Sequence, residues 1–121
     1  MSVGRLVYAG APGDTYRIDD RALAHLELAI GAKFRLGDSF AFTIDGGDAP
    51  PGRGYRVLWM HPSIPLQFGY DDARATIAIN PTWVSALVSA ASTEAGLRIV
   101  PEPDGPSLPP AGAPPPKPIY G

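Results

Sequence analysis

The sequence predicts an α+β domain, in which a mostly antiparallel sheet carries two helices packed on one face, followed by a proline-rich C-terminal tail. Two amphipathic patterns with capping residues predict the helices, and a series of short alternating runs predicts the sheet. The composition changes at Pro101, and most of the fifteen prolines lie from that residue onward. A chain of 121 residues therefore divides into a compact domain at residues 1–100 and a tail at residues 101–121.

The first helix is predicted to follow Asp19 and Asp20, which serve as cap, and to end near Arg35 before Gly37. His25 falls on its polar side and is expected to be an exposed surface histidine. Gly31 inside the helix costs about 1 kcal/mol relative to alanine, so a close contact is expected there. The apolar stripe of this helix contains Leu23, Leu26, Ile30 and Phe34.

The second helix has a clear predicted start, with Asn80 as the cap and Pro81 at the first helical position. Gly96 is expected to end it. Its apolar face contains Trp83, Val84, Leu87, Val88 and Ala91.

The remaining ordered residues read as strands. Phe40, Phe42 and Ile44 alternate with smaller residues, which is typical of a half-buried strand. Trp59, Met60 and Trp83 are expected in the core together with the phenylalanines. Residues 45–54, rich in Gly, Asp and Pro, are predicted to form a mobile loop. The predicted strands cover residues 6–8, 16–18, 40–44, 55–61, 66–70, 76–79 and 97–100.

Composition and charge exclude several classes of function. The chain has no cysteine, which removes disulfides, thiolate metal sites and a cysteine nucleophile. Its formal net charge of −2 comes without a basic stripe, so nucleic acid is not an expected partner. Its start lacks the apolar region of a secretory signal, and its longest apolar run is too short to span a membrane. A cytoplasmic protein without a cofactor is the expectation.

Several segments taken together resemble a family of small, single-domain actinobacterial proteins of unknown function. These segments are residues 18–26, 38–42, 59–68, 80–83 and 96–103. Members of that family are often labelled ATP-dependent DNA ligase. Such ligases need a nucleophilic lysine in a Lys-x-Asp-Gly motif, and neither Lys33 nor Lys117 has that context. The protein is therefore not expected to be a ligase by itself.

His61 and Ser63, between Trp59 and Phe68, are the candidate catalytic residues. One interpretation is a general base beside a serine hydroxyl. The favoured interpretation is a half-buried histidine that orients a loop braced by two prolines, because a Ser-His pair needs a third, orienting group. Arg53 and Arg56 flank the predicted mobile loop, where they either hold an anion or are simply solvated.

Metal and carboxylate sites are not predicted. His25 has no second ligand at helical spacing, so no metal site is expected. Asp71 and Asp72 lie where a hairpin should turn, and turn chemistry is favoured over a pair of catalytic carboxylates.

The tail contains two proline-x-x-proline motifs, at residues 106–109 and 115–118. One interpretation is a disordered extension that cannot join a strand ladder. The other is a docking arm, since a preformed polyproline segment binds at low entropic cost. The expected partner-binding residues are Pro115, Pro116, Pro118, Ile119 and Tyr120.

The function predicted first is a non-enzymatic interaction or assembly module that presents the tail to another protein chain or to its own copies, in an oligomer or a phage particle. The alternative is an accessory protein in nucleic-acid processing. A third hypothesis is a small hydrolase that uses His61 and Ser63.

Overall fold

A computed structural model describes residues 2–10, 14–44 and 56–108 of the chain. It has the predicted α+β class, with two helices, six strands and one short 3₁₀ turn in the described residues. The elements, in chain order, are β1 (Val3–Tyr8), β2 (Thr15–Asp19), α1 (Asp20–Arg35), β3 (Phe40–Ile44), β4 (Arg56–Met60), β5 (Leu66–Gly69), the 3₁₀ turn (Arg74–Thr76), α2 (Pro81–Ala91) and β6 (Leu97–Arg98).

The strands divide between two three-stranded sheets, whereas the sequence predicted one. The first sheet has the order β2-β1-β5 and is antiparallel throughout. The second has the order β4-β3-β6, in which β3 pairs antiparallel with β4 and parallel with β6. Residues 61–65 carry the chain from β4 in one sheet to β5 in the other, and Pro62 and Pro65 both lie in this connection. Because proline has no N–H to donate, it suits a segment that leaves a ladder.

A single core joins the two sheets through the helices. Leu6 and Ile18 enter it from the first sheet, and Phe42 and Met60 enter it from the second. Three of the four residues of the predicted α1 stripe are buried between them, and Phe34 packs at the margin with its ring 5.9 Å from that of Phe40. Full burial of one such aliphatic side chain contributes about 1.5–3 kcal/mol.

The predicted helix starts are confirmed. Asp19 Oδ2 accepts the Ala22 N–H at 3.2 Å, and Asn80 Oδ1 accepts the Thr82 N–H at 3.0 Å, with Pro81 in the first turn. Gly37 follows α1 with a φ of +74°, which few residues other than glycine adopt readily.

The end of α2 differs from the prediction. The helix ends at Ala91, and Ser92 is its C-cap, so the end comes well before Gly96. Gly96, with φ of +82°, instead lets the chain pass close to β3 at the start of β6. A Cβ at this position would lie 2.6 Å from the Ala41 carbonyl oxygen.

Two further expectations are wrong. Trp59 is 57% exposed, because Leu58 and Met60 occupy the inward positions of β4 and the strand's alternation turns Trp59 outward. The predicted strand at residues 76–79 does not form, and only Ile79 makes an isolated bridge, with Leu108.

The close contact expected at Gly31 is also not found, since a Cβ there would meet no atom within 4 Å among the described residues. The predicted mobile loop, residues 45–54, lies outside the described residues.

Candidate functional site

The most heavily bonded polar site lies where residues 100–108, hereafter the strap, cross the first turns of both helices. Arg21 of α1 forms a two-pronged ion pair with Glu102 of the strap, with Nε–Oε1 at 2.9 Å and Nη2–Oε2 at 2.7 Å. The Asn80 side-chain amide donates to Glu102 Oε2 at 3.0 Å and to the Pro103 carbonyl at 2.9 Å. The helix starts and the strap are therefore held together by one network.

The Arg21 guanidinium bonds to the strap at two residues and also to the segment before α2. Besides Glu102, its Nη1 donates to the Ala78 carbonyl at 2.7 Å and its Nη2 to Ser107 Oγ at 3.3 Å. The hydrogen bond to Glu102 raises the Arg21 pKa. The hydrogen bonds from Arg21 first, and from Asn80 second, lower the Glu102 pKa to about 2. Both partners are thus charged over the whole physiological range.

His25 lies beneath this network and is fully buried, at 0% exposure. Its Nδ1 is 2.7 Å from the Arg21 carbonyl oxygen, which only accepts, so Nδ1 carries the proton. Its Nε2 accepts the Asn80 N–H at 2.9 Å, so Nε2 carries none. The ring is therefore the neutral Nδ1–H tautomer, and burial, the largest cause, lowers the His25 pKa.

The prediction that His25 is an exposed surface residue is wrong for a definite reason. The helical stripe identified only the face of α1 that meets the sheets. A second face of α1 packs against α2, and the His25 and Trp83 rings lie 4.4 Å apart in that contact. A histidine between Ala24 and Leu26, both buried, was the available signal for this face.

Other contacts fix the strap along its length. The Trp83 indole N–H donates to the Val100 carbonyl at 2.9 Å. Leu108 and Ile79 exchange two backbone hydrogen bonds, at 2.6 and 3.3 Å. A Cβ on Gly105 would lie 2.8 Å from Thr82 Oγ1, so only glycine lets the strap approach this closely.

Residues 101–108 belong to the tail in the sequence-based division. Leu108 forms no ladder, but its N–H and carbonyl both pair with Ile79 in an isolated bridge. Prolines flank this residue without removing its donor. The packed part of the described chain therefore continues past Val100 to Leu108.

The two aspartate pairs have structural roles. The Asp20 carboxylate is buried and accepts the backbone N–H groups of Asp71, at 3.2 Å, and Asp72, at 2.8 Å. The Ser2 hydroxyl donates to the Asp72 carboxylate. Asp20 thus holds the 71–72 turn against the start of α1, in agreement with the turn interpretation.

His61 and Ser63, the candidate catalytic residues, are in contact. His61 Nδ1 accepts both the Ser63 hydroxyl, at 2.7 Å, and the Ser63 backbone N–H, at 3.1 Å. The Ile64 N–H closes the same turn on the His61 carbonyl at 2.9 Å. Both residues are exposed, and within the described ranges no group bonds to His61 Nε2. This pattern organises the Pro62–Pro65 loop, although the histidine is exposed and not half-buried as expected.

The remaining predicted site residues are not assembled with the strap. Arg56 is exposed at the start of β4 and has no ion pair with a described residue. Arg53 lies outside the described residues, as do the expected partner-binding residues Pro115, Pro116, Pro118, Ile119 and Tyr120.

The described ranges contain neither a candidate metal cluster nor a candidate membrane span. No group of three or more His, Asp or Glu side chains there is placed to hold a metal ion. None of the helices in those ranges has both the length and the apolar character needed to cross a bilayer.

Fold and site together define a small α+β protein with two three-stranded sheets and a C-terminal strap fixed by an Arg–Glu–Asn–His network. Residues 3–102 match the family described as a domain of unknown function, DUF7882, and the chain belongs to that family. The matched region includes Glu102, the charged anchor of the strap. Comparisons with curated proteins and with solved structures find no significant match.

Proposed function

We propose that this protein is a non-enzymatic interaction or assembly module, in which the α+β body presents a C-terminal proline-rich arm, residues 109–121, to another protein chain or to a second copy. The strap is the observation that carries the proposal. A two-pronged ion pair and a buried Asn–His network fix residues 100–108 to the body. The arm therefore starts from a defined point at Leu108, and less orientational freedom is lost when it binds.

The body offers a second apolar contact in Val57 and Trp59 on the outward face of β4, which are 60% and 57% exposed. They are two positions apart on a strand, so their side chains lie on the same face. Exposed tryptophan is enriched among the residues that dominate binding energy at protein interfaces. The arm and this face would together form a two-part contact surface.

The first experiment tests the arm. Light scattering over a concentration series compares the full chain with a chain lacking residues 109–121, which keeps the strap. We expect the full chain to self-associate, or to form a cross-linked complex with a partner from its source cells, and the shortened chain to lose at least tenfold in affinity, the loss of about 1.4 kcal/mol. If the shortened chain self-associates and forms the partner complex as well as the full chain does, the role of the arm is contradicted.

The second experiment tests the body face. Trp59→Ser should weaken the same association, since it removes the large exposed apolar side chain. The matched control is Leu36→Ser, because Leu36 is 74% exposed at the end of α1. Equal effects of the two substitutions would show that the loss is general surface hydrophobicity and would remove β4 from the proposal.

A further inference from the structure

A cleft of about 360 Å³ opens between the two sheets, on the side of the molecule where α1 begins. The first sheet contributes β2, and the second contributes the end of β3 together with β6. Its size is at the lower end of the range for small-molecule sites. The lining residues are Arg17, Ile18, Asp19, Ala22, Thr43, Ile44, Arg98 and Ile99.

Two arginines from different sheets line this cleft. Arg17 lies on β2 and Arg98 on β6, where it is paired in register with Thr43. Both arginines are exposed, and neither side chain has an ion pair or a hydrogen bond with a described residue. Asp19, the one carboxylate among the described lining residues, accepts the Ala22 N–H as the α1 cap. Within the described part of the chain, the two guanidinium groups therefore have no partner.

A third arginine increases the local positive charge. Arg5 on β1 is directly opposite Arg17 on β2, so the two side chains stand on the same face of the first sheet. Like charges placed opposite one another in this way are destabilising. A bound anion would relieve that repulsion.

The cleft also has apolar lining residues. Ala22 and Ile44 are among them, although they are only 7% and 6% exposed. The accessible apolar surface is that of Ile99, which is 39% exposed. A plain inorganic ion would leave this surface uncovered. The lining therefore favours a ligand with an anionic group and an apolar or aromatic body.

We infer that this cleft binds an organic anion of that kind, a phosphate ester whose charged group is held by Arg17 and Arg98 and whose body covers Ile99. Arginine suits this role because its planar guanidinium offers paired donors to phosphate oxygens. The same chemistry has two sources, a free phosphorylated small molecule or one phosphate and base of a nucleic acid. The inference is independent of the proposed assembly role, which uses other residues.

The test is calorimetric titration of the full chain with phenyl phosphate and with inorganic phosphate. We expect phenyl phosphate to bind more tightly, since only it has an apolar body that can cover Ile99. Arg17→Gln and Arg98→Gln should each weaken it by about tenfold, the effect of losing a charged hydrogen bond. Arg35→Gln is the matched control, because Arg35 is an exposed arginine outside the cleft and the substitution removes the same charge.

The outcomes separate clearly. Absence of phenyl phosphate binding at millimolar concentration overturns the inference, and so does a loss that is equal in Arg17→Gln and Arg35→Gln. Titration with a short single-stranded oligothymidylate distinguishes the sources. If it binds more tightly than phenyl phosphate and depends on Arg17 and Arg98, the site serves nucleic acid, and if not, it serves a free phosphate ester. Light scattering of the same variants should be unchanged, which keeps failure here distinct from failure of the assembly proposal.

Discussion

At the scale of single residues, His25 is a fully buried titratable group. Its two ring nitrogens are both used, one as a donor to the Arg21 carbonyl and one as an acceptor from the Asn80 N–H. A second proton on Nε2 would point at that N–H and would be buried close to Arg21 and Arg74, with Glu102 as the compensating charge. The fold therefore requires the neutral ring.

This requirement predicts a loss of stability in mild acid. The unfolded histidine has a pKa near 6.5, and burial lowers the folded pKa below that. Below pH about 6.5 the unfolded state binds a proton that the folded state does not, so the free energy of unfolding falls by up to about 1.4 kcal/mol per pH unit until the folded pKa is reached. Urea unfolding at about pH 7.5 and at about pH 5.5 measures this loss of stability. The dependence should disappear in His25→Gln and persist in His61→Gln. If His61→Gln abolishes it instead, the assignment is wrong.

Glu102 gives a second, separate pH window. Its folded pKa, about 2, is below its ordinary value of 4.5, so the stability from the Arg21 pair is present above pH 4.5 and is lost as the pH falls toward 2. The Arg21 and Glu102 side chains are 35% and 33% exposed, so screening by solvent limits the contribution to about 1 kcal/mol. Glu102→Gln should lower the free energy of unfolding by that amount at about pH 7, and should not change it at the acid end of the window. Glu94→Gln, at an exposed glutamate, is the control, and an equal cost there would contradict the role of the pair.

At the scale of secondary-structure elements, the strap is the feature that could not be predicted from the sequence. Helix caps are local, so Asp19, Asn80 and Gly37 could be predicted from residues a few positions away. Arg21 and Glu102 are 81 residues apart, and His25 and Asn80 are 55 apart, so nothing in the local pattern connects them. Proline content assigned residues 101–108 to the tail, although the Pro103 carbonyl and the Leu108 backbone still make hydrogen bonds.

The strap's contribution can be measured by two truncations in a Trp59→Phe background, where Trp83 is the remaining tryptophan. Removing residues 101–121 should shift Trp83 emission to the red and lower the free energy of unfolding by more than about 2 kcal/mol, because the Arg21 and Asn80 side chains lose Glu102, their shared partner. Removing only residues 109–121 should leave the Trp83 emission unshifted. It should change the free energy of unfolding by no more than about 0.5 kcal/mol. Equal effects of the two truncations would show that the strap contacts contribute nothing.

At the scale of the whole molecule, the class of fold followed from the sequence and the division into two sheets did not. Alternation of period two buries Phe40, Phe42 and Ile44 in the same way whether a strand joins one sheet or another. What separates the sheets is the 61–65 connection, and its two prolines looked equally compatible with a turn inside one sheet. Trp59 was misplaced for a related reason, since its neighbours Leu58 and Met60 already fill the inward positions of β4.

The two sheets share one hydrophobic core and, in the described residues, no ladder, so they are coupled through the helices. α1 packs against β1 and β2, α2 packs against β3 and β6, and the two helices pack against each other. Leu23, fully buried near the start of α1, belongs to that shared core. Leu23→Ala should destabilise the protein by about 3 kcal/mol, the usual cost of a buried leucine with its cavity. Native-state hydrogen exchange should then show equal losses of protection in β1 of one sheet and β3 of the other. An exposed alternative, Leu36→Ala, should change neither. If β1 loses protection while β3 keeps it, the sheets are separate folding units, and the strap would stabilise only the half of the molecule that it touches.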